Sequence, residues 1–211
     1  MAPDITGKPQ PSNGGTNEKA PGSGNARTVT GGASGTMPGK GNGLDERLFV
    51  ALRTRAHPRF LETVIASLSV TGNWGIFWIG TGAALWATDA IGGLRDFIYL
   101  LAVVYVTLVV NFIIKTVLGR ERPAPSDPAL GPLVGTPSSK SFPSSHAAMS
   151  FAAACTLTWL YTPLWPLYFA VAFLMSWSRV YTGVHYPSDV LAGTATGLVM
   201  GGLGVVLLSF V

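Results

Sequence analysis

Ser178-Arg179-Val180-Tyr181-Thr182-Gly183-Val184-His185-Tyr186-Pro187-Ser188-Asp189 joins two long apolar runs and places a cation, an imidazole and a carboxylate between them. A badly placed ionisable group is costly at a bilayer, so such residues at a membrane boundary carry a functional expectation. Pro187 suits the first turn of a helix, which puts Asp189 just inside that helix and His185 just before it. Asp189 is then placed to accept the proton-bearing nitrogen of His185, fixing the tautomer and leaving the other nitrogen as base or nucleophile. Arg179, earlier on the preceding helix, presents a planar fork suited to phosphate. The plainer reading of the same residues is a juxtamembrane loop with an interfacial arginine and a structural His–Asp pair.

The chain around this stretch is 211 residues long, 48% hydrophobic and only 11% charged, far below the roughly 25% charged share of soluble domains. Its mean hydropathy is +0.39 although the N-terminal part is plainly polar. These values imply an all-α, polytopic membrane helix bundle. The net charge of +4 comes without a dense Lys/Arg patch interleaved with aromatics, which argues against nucleic acid as a partner. The single cysteine, Cys155, allows no intramolecular disulfide. The three histidines, His57, His146 and His185, stand in no Cys/His cluster that would hold zinc.

Residues 1–43 are rich in Gly, Pro, Ser, Thr and Asn. Such a segment buries too little apolar area to offset its chain entropy, so a disordered tail is expected there, and without an apolar core it does not read as a cleavable signal peptide. Residues 44–70 read as two short amphipathic helices lying at the membrane surface with arginines toward the headgroups. Their junction at His57–Pro58 makes His57 a structural residue. From residue 71 to 211 about five membrane-spanning helices are expected, near Trp74–Ala90, Phe97–Leu118, Ser145–Tyr161, Leu167–Tyr181 and Pro187–Val211. Gly193, Gly197 and Gly201 recur at four-residue spacing on the last of them, a stripe suited to close helix packing and open to use between chains in an oligomer.

Counting crossings brings three chemically loaded segments to one membrane side. The first, Lys115-Thr116-Val117-Leu118-Gly119-Arg120-Glu121-Arg122-Pro123, ends an apolar helix with cations. Each cation taken singly also fits interfacial anchoring. The second, Ser141-Phe142-Pro143-Ser144-Ser145-His146, opens a helix with free backbone N–H groups and hydroxyls, a ready anion site. The third is the His185 stretch itself.

Together the three segments resemble the type 2 phosphatidic acid phosphatase family, whose pattern runs K-x6-RP, PSGH and SR-x5-H-x3-D. Here these are Lys115 to Arg122-Pro123, Pro143-Ser144-Ser145-His146, and Ser178-Arg179 to His185 to Asp189. The one departure is Ser145 where the family usually has glycine. The resemblance covers about residues 74 to 211 and implies His185 as nucleophile through a phosphohistidine, Asp189 as its orienting acid, and His146 as general acid and later base. It further implies that Lys115, Arg122, Arg179, Ser144 and the Ser145 amide hold the phosphoryl oxygens. Fixed cations and N–H dipoles suit the charge that phosphoryl transfer develops, and besides Asp189 only Glu121 and Asp127 are at hand as carboxylates in these segments, too few for a two-metal site. The expectation is therefore a metal-independent lipid phosphatase without cofactor.

A site at the mouth of a helix bundle favours a phosphate carried on a lipid: phosphatidate, phosphatidylglycerol phosphate, a polyprenyl phosphate or diphosphate, or a polyprenyl-phosphoryl sugar phosphate. Arg47, Arg53, Arg55 and Arg59 fall on the side of the site, whereas the opposite loops carry only Arg95. By the positive-inside rule the site of this integral membrane protein, expected in a bacterial cell membrane, faces the cytoplasm. The alternatives are a lipid phosphotransferase, a vanadate-dependent haloperoxidase using the same pocket, and a non-catalytic lipid-binding membrane protein.

Overall fold

The computed structural model describes residues 43–53, 59–123 and 131–210, all within one compact unit, Gly35–Val211. The expected tail, up to residue 42, lies outside the described residues, as do His57–Pro58 and positions 124–130 with Asp127. Among the described residues the regular structure is wholly helical, in the order α1 (Gly43–Arg53), α2 (Arg59–Thr71), α3 (Ile76–Ala87), α4 (Leu94–Leu118), α5 (Ser145–Leu160), α6 (Trp165–Tyr181) and α7 (Pro187–Leu208).

Helix α5 is the axis of the bundle. Its run of small residues lets neighbouring backbones approach closely: Ala147, Ala148, Ala152, Ala153 and Ala154 are all fully buried. Larger side chains close the core around it, with Trp78, Leu100, Val104, Met149, Leu157, Tyr168 and Met175 in one buried cluster. The indole of Trp78 donates to Ser150 Oγ at 3.0 Å, so its N–H is satisfied inside this cluster.

Among the described residues two helices, α4 and α7, are long and apolar enough to cross a membrane. Their outer faces are bare hydrocarbon: Val109, Phe112 and Val117 on α4 and Leu191, Val199 and Leu207 on α7 are all exposed. Apolar patches of this extent are rare on a water-facing surface. Helices α3, α5 and α6 are shorter, at 12, 16 and 17 residues. The expected first span begins later than Trp74 because the chain is broken there. A 3₁₀ turn, Asn73–Gly75, precedes α3, with Trp74 at φ 56° and Gly75 at φ 74°. A left-handed pair of this kind cannot continue a right-handed helix.

The glycine stripe of α7 is used for close packing within the chain. A Cβ added at Gly193 would stand 2.4 Å from the carbonyl oxygen of Ser144, one at Gly197 2.4 Å from that of Ala148, and one at Gly201 2.7 Å from Cys155 Cβ. The stripe is the face on which α7 lies against α5.

Candidate active site

The three loaded segments meet at one end of the bundle. Helix α4 delivers Lys115 in its last turn, the start of α5 delivers Ser145 and His146, and the end of α6 delivers Arg179. His185 follows from the connection to α7. All of these, with Arg122, line one cavity of about 600 Å³.

His185 is held by its own loop. Two residues of that loop, Val184 and His185, donate their N–H groups to the Arg179 carbonyl at 3.2 Å each. Gly183, at φ 81°, makes the reversal that allows this. The imidazole Nε2 stands 3.2 Å from Nη1 of Arg122. A guanidinium N–H only donates, so Nε2 accepts and the ring proton sits on Nδ1. Nδ1 faces Asp189 Oδ2 at 3.5 Å, too long for a formed hydrogen bond but within the range that substrate binding commonly tightens. Burial, followed by the charges of Arg122, Arg179 and Lys115, holds the His185 imidazole well below its ordinary value of 6.5. The ring is therefore neutral near pH 7, with the Nε2 lone pair at the cavity wall.

Arg122 is anchored by the loop that covers the site. Its Nε donates to the carbonyls of Pro137 at 3.1 Å and Ser139 at 2.9 Å, and its Nη1 to that of Val184 at 2.8 Å. Arg179 is buried and reaches back to α2, where Nη1 donates to both the hydroxyl and the carbonyl of Ser69. Lys115 Nζ donates to Ser145 Oγ at 3.2 Å, and Asn111, one turn earlier on α4, donates to the same oxygen at 2.8 Å. The hydroxyl that replaces the family's glycine hydrogen is thus bonded to α4, and the substitution is accommodated without a positive φ, since Ser145 is an ordinary helical residue.

His146 Nε2 lies 3.0 Å from Asn73 Oδ1. An amide oxygen only accepts, so this nitrogen carries the proton. The ring rests on Gly72, where an added Cβ would come within 2.8 Å of His146 Cδ2; the close approach is what requires glycine there.

Two residues named from the sequence do not line the cavity. Ser144 is fully buried and contributes its main chain, donating N–H to the Asp189 carbonyl at 2.9 Å. Asp189, also fully buried, stands behind His185 and accepts from the Tyr186 N–H at 2.9 Å. Conversely, Ser69, Asn73, Asn111 and Arg120 contact site residues, Asp45 reaches the site through Arg120, and none of the five carries a role in the sequence reading. Arg120 donates to Asp189 Oδ1 at 3.0 Å and to Asp45 Oδ2 at 2.8 Å.

Residues 96–210 match the PAP2 superfamily, over half of the 211 residues, and the chain belongs to that superfamily. It is 39% identical over 109 residues to a decaprenylphosphoryl-5-phosphoribose phosphatase of Mycobacterium tuberculosis, covering 52% of this chain and 59% of that one. It is 33% identical over 118 residues to a lipid A 4'-phosphatase of Bacteroides thetaiotaomicron, covering 53% and 51%. This chain thus aligns with about half to three fifths of the length of these relatives. Among solved structures, it resembles a transmembrane PAP2 type phosphatidylglycerolphosphate phosphatase from Bacillus subtilis with TM-score 0.66 and 26% identity, over 80% of this chain and 86% of that one.

Proposed function

We propose that this protein is an integral membrane phosphatase that hydrolyses a lipid phosphate monoester or diphosphate through a phosphohistidine at His185, without a metal. The observation that carries the reading is Nε2 of His185, beside Arg122, at the wall of a cavity that also holds Lys115 and Arg179. Three cations around one nucleophile fit a tetrahedral dianion and supply the charge stabilisation that a metal provides elsewhere. One wall of the cavity is apolar, formed by Trp74, Leu108, Val109, Phe112 and Met149, and suits hydrocarbon next to a phosphate.

In this reading Arg122 Nη1 leaves Nε2 for a phosphoryl oxygen, Nε2 attacks phosphorus, and the bond from phosphorus to the leaving oxygen breaks. His146, protonated once the substrate's phosphate offsets the surrounding cations, gives that oxygen a proton. Water then attacks the phosphohistidine, His146 takes a proton from it, and inorganic phosphate leaves with Nε2 restored. Asp189 keeps the Nδ1 proton facing inward throughout. Residues 71–211 form the phosphatase domain, 44–70 lie on the membrane surface, and α3 to α7 all cross, the 3₁₀ turn Thr162–Leu164 leading directly into α6. The relatives' names favour a polyprenyl-linked or glycolipid phosphate.

A phosphate-release screen tests this directly: purified protein against phosphatidate, phosphatidylglycerol phosphate, polyprenyl phosphate and diphosphate, and a polyprenyl-phosphoryl sugar phosphate. The expected result is release from at least one of them, unchanged by EDTA. Activity abolished by EDTA and restored by Mg²⁺ would overturn metal independence, and no release from any lipid would overturn the function.

The site faces the cytoplasm in this proposal, because Arg47, Arg53, Arg55 and Arg59 precede the first span in sequence and by crossing count share its side, whereas the opposite loops carry only Arg95. Ser138, exposed on the covering loop, serves as reporter. Ser138→Cys in a Cys155→Ser background is expected to react with a membrane-impermeant maleimide only after cells are opened. Labelling in intact cells would reverse the orientation.

A further inference from the structure

We propose that α1 is a working part of the site, in which Asp45 fixes Arg120 and Ser188 and so holds Asp189 in register with His185. The inference rests on the phosphatase reading for its catalytic consequence, but not for its geometry. Helix α1 precedes the segment that matches the superfamily, and its amphipathic pattern by itself explains only attachment to a membrane surface.

The contacts are specific. Asp45 is 4% exposed, which is unusual for an aspartate in the first turn of a surface helix. Its Oδ1 accepts the backbone N–H of Ser188 at 3.0 Å, and its Oδ2 accepts the Ser188 hydroxyl and Nη2 of Arg120, the latter at 2.8 Å. The N–H of Ser188 is one of the orphan donors in the first turn of α7, so Asp45 caps that helix from a distant part of the chain. The neighbouring residue is Asp189. Arg120 completes the connection, its Nη1 donating to Asp189 Oδ1 at 3.0 Å and to Ser188 Oγ at 2.6 Å.

One guanidinium thus spans two carboxylates, from α1 and α7, using separate nitrogens of a rigid fork. The guanidinium is also 4.0 Å from the centre of the Tyr186 ring, and that ring packs against Phe49 of α1 at 5.9 Å. Burial raises the Asp45 carboxyl, but the hydrogen bonds from Ser188 and Arg120 outweigh it and hold the group below its ordinary value of 3.8. The carboxylate is therefore charged throughout the working pH range. Asp189 uses Oδ1 for Arg120 and Oδ2 for the Tyr186 N–H, and Oδ2 is also the oxygen facing His185 Nδ1. Neither oxygen is free to rotate away while Arg120 is in place. Asp45 and Arg120 are positioning residues: they act on phosphorus only through Asp189 and His185.

The chain contains only three histidines, so ¹⁵N-histidine spectra of the full-length protein in detergent report the His185 tautomer without crowding. Asp45→Ala removes both the cap and the ion pair, whereas Asp45→Asn keeps an acceptor for Ser188 and drops the charge toward Arg120. In the wild type His185 is expected as a single Nδ1–H tautomer, and in both variants as a mixture. kcat on the best lipid of the screen should fall about 10- to 100-fold, by analogy with the loss when the hydrogen-bond partner that orients a metal-bound imidazole is removed. The Ki for inorganic phosphate should stay within about twofold, because Lys115, Arg122 and Arg179 are untouched. A single unchanged tautomer in both variants overturns the proposal whatever the activity. So does a loss of phosphate affinity in step with kcat and thermal stability, which would mark a structural role only. A mixed tautomer in a protein that hydrolyses no lipid phosphate would leave the positioning role standing and sink the phosphatase reading instead.

Discussion

Replacing His185 by alanine is expected to lower phosphate release by at least roughly 10³-fold, since loss of a covalent nucleophile in other enzymes reaches about 10⁶. The fold should survive. The loop is held by main-chain bonds, with the N–H groups of Val184 and His185 both donating to the Arg179 carbonyl, and alanine keeps both. What is lost is a buried ring and the acceptor for Arg122 Nη1, a cost of about 1–3 kcal/mol in stability. His146→Ala serves as the contrast. It removes proton transfer and not the attacking nitrogen, a loss of about 10²–10⁴. The two variants separate by what accumulates. After an alkaline quench of a single turnover with ³²P-labelled lipid phosphate, the wild type and His146→Ala should carry protein-bound label, and His185→Ala none. Label remaining on His185→Ala, or turnover persisting near the wild-type rate, would move the nucleophile to another residue.

The parts of this site that could be read from the sequence are those whose members are close along the chain. His185 and Asp189 are four residues apart across a helix start marked by Pro187, and their register follows from helix geometry alone. The start of α5 at Ser145 and of α7 at Pro187 were legible for the same reason: a proline-bearing turn ends at the first periodic apolar residue. The residues that escaped notice have partners far away in sequence. Asp45 meets Ser188 and Arg120 meets Asp189, and a local pattern cannot encode either meeting. A lone aspartate in the first turn of an amphipathic helix is indistinguishable in sequence from one that merely complements the helix dipole.

One signal was present and unused. Thr107, Asn111 and Lys115 recur every four residues on an otherwise apolar helix, and all three are buried. Polar residues in such a stripe face the bundle interior because hydrocarbon cannot solvate them. That argument alone places Asn111 beside Lys115, where it holds Ser145. Asn73 is the opposite case. Its position depends on the left-handed turn at Trp74 and Gly75, and a tryptophan at positive φ follows from no propensity.

Gly193→Ala should damage stability and activity together, although alanine is ordinarily the better helix former by about 1 kcal/mol. The added Cβ would stand 2.4 Å from Ser144 O and 3.0 Å from Ala147 Cβ. The first of these is a main-chain carbonyl already engaged by the N–H of Ala148 at 3.1 Å, so it cannot swing aside as a side chain would. The helices must separate instead, and overpacking of this kind costs typically about 1–3 kcal/mol. The place where they separate decides the functional outcome. Ser144 also donates its N–H to the Asp189 carbonyl, which ties the start of α5, with Ser145 and His146, to the first turn of α7, with Asp189. Prying this joint apart shifts the proton donor relative to the nucleophile. A displacement of about 1 Å in a reacting pair costs about 10²-fold in rate, and a loss of that size in kcat is the expected result, accompanied by a lower melting temperature. Gly202→Ala is the matched control: it lies on the same helix with nothing within 4 Å of its added Cβ, and should leave activity unchanged with equal or slightly higher stability. If Gly193→Ala behaved like Gly202→Ala, α5 and α7 would not be in contact at this point, and the convergence of His146 with His185 would lose its mechanical basis.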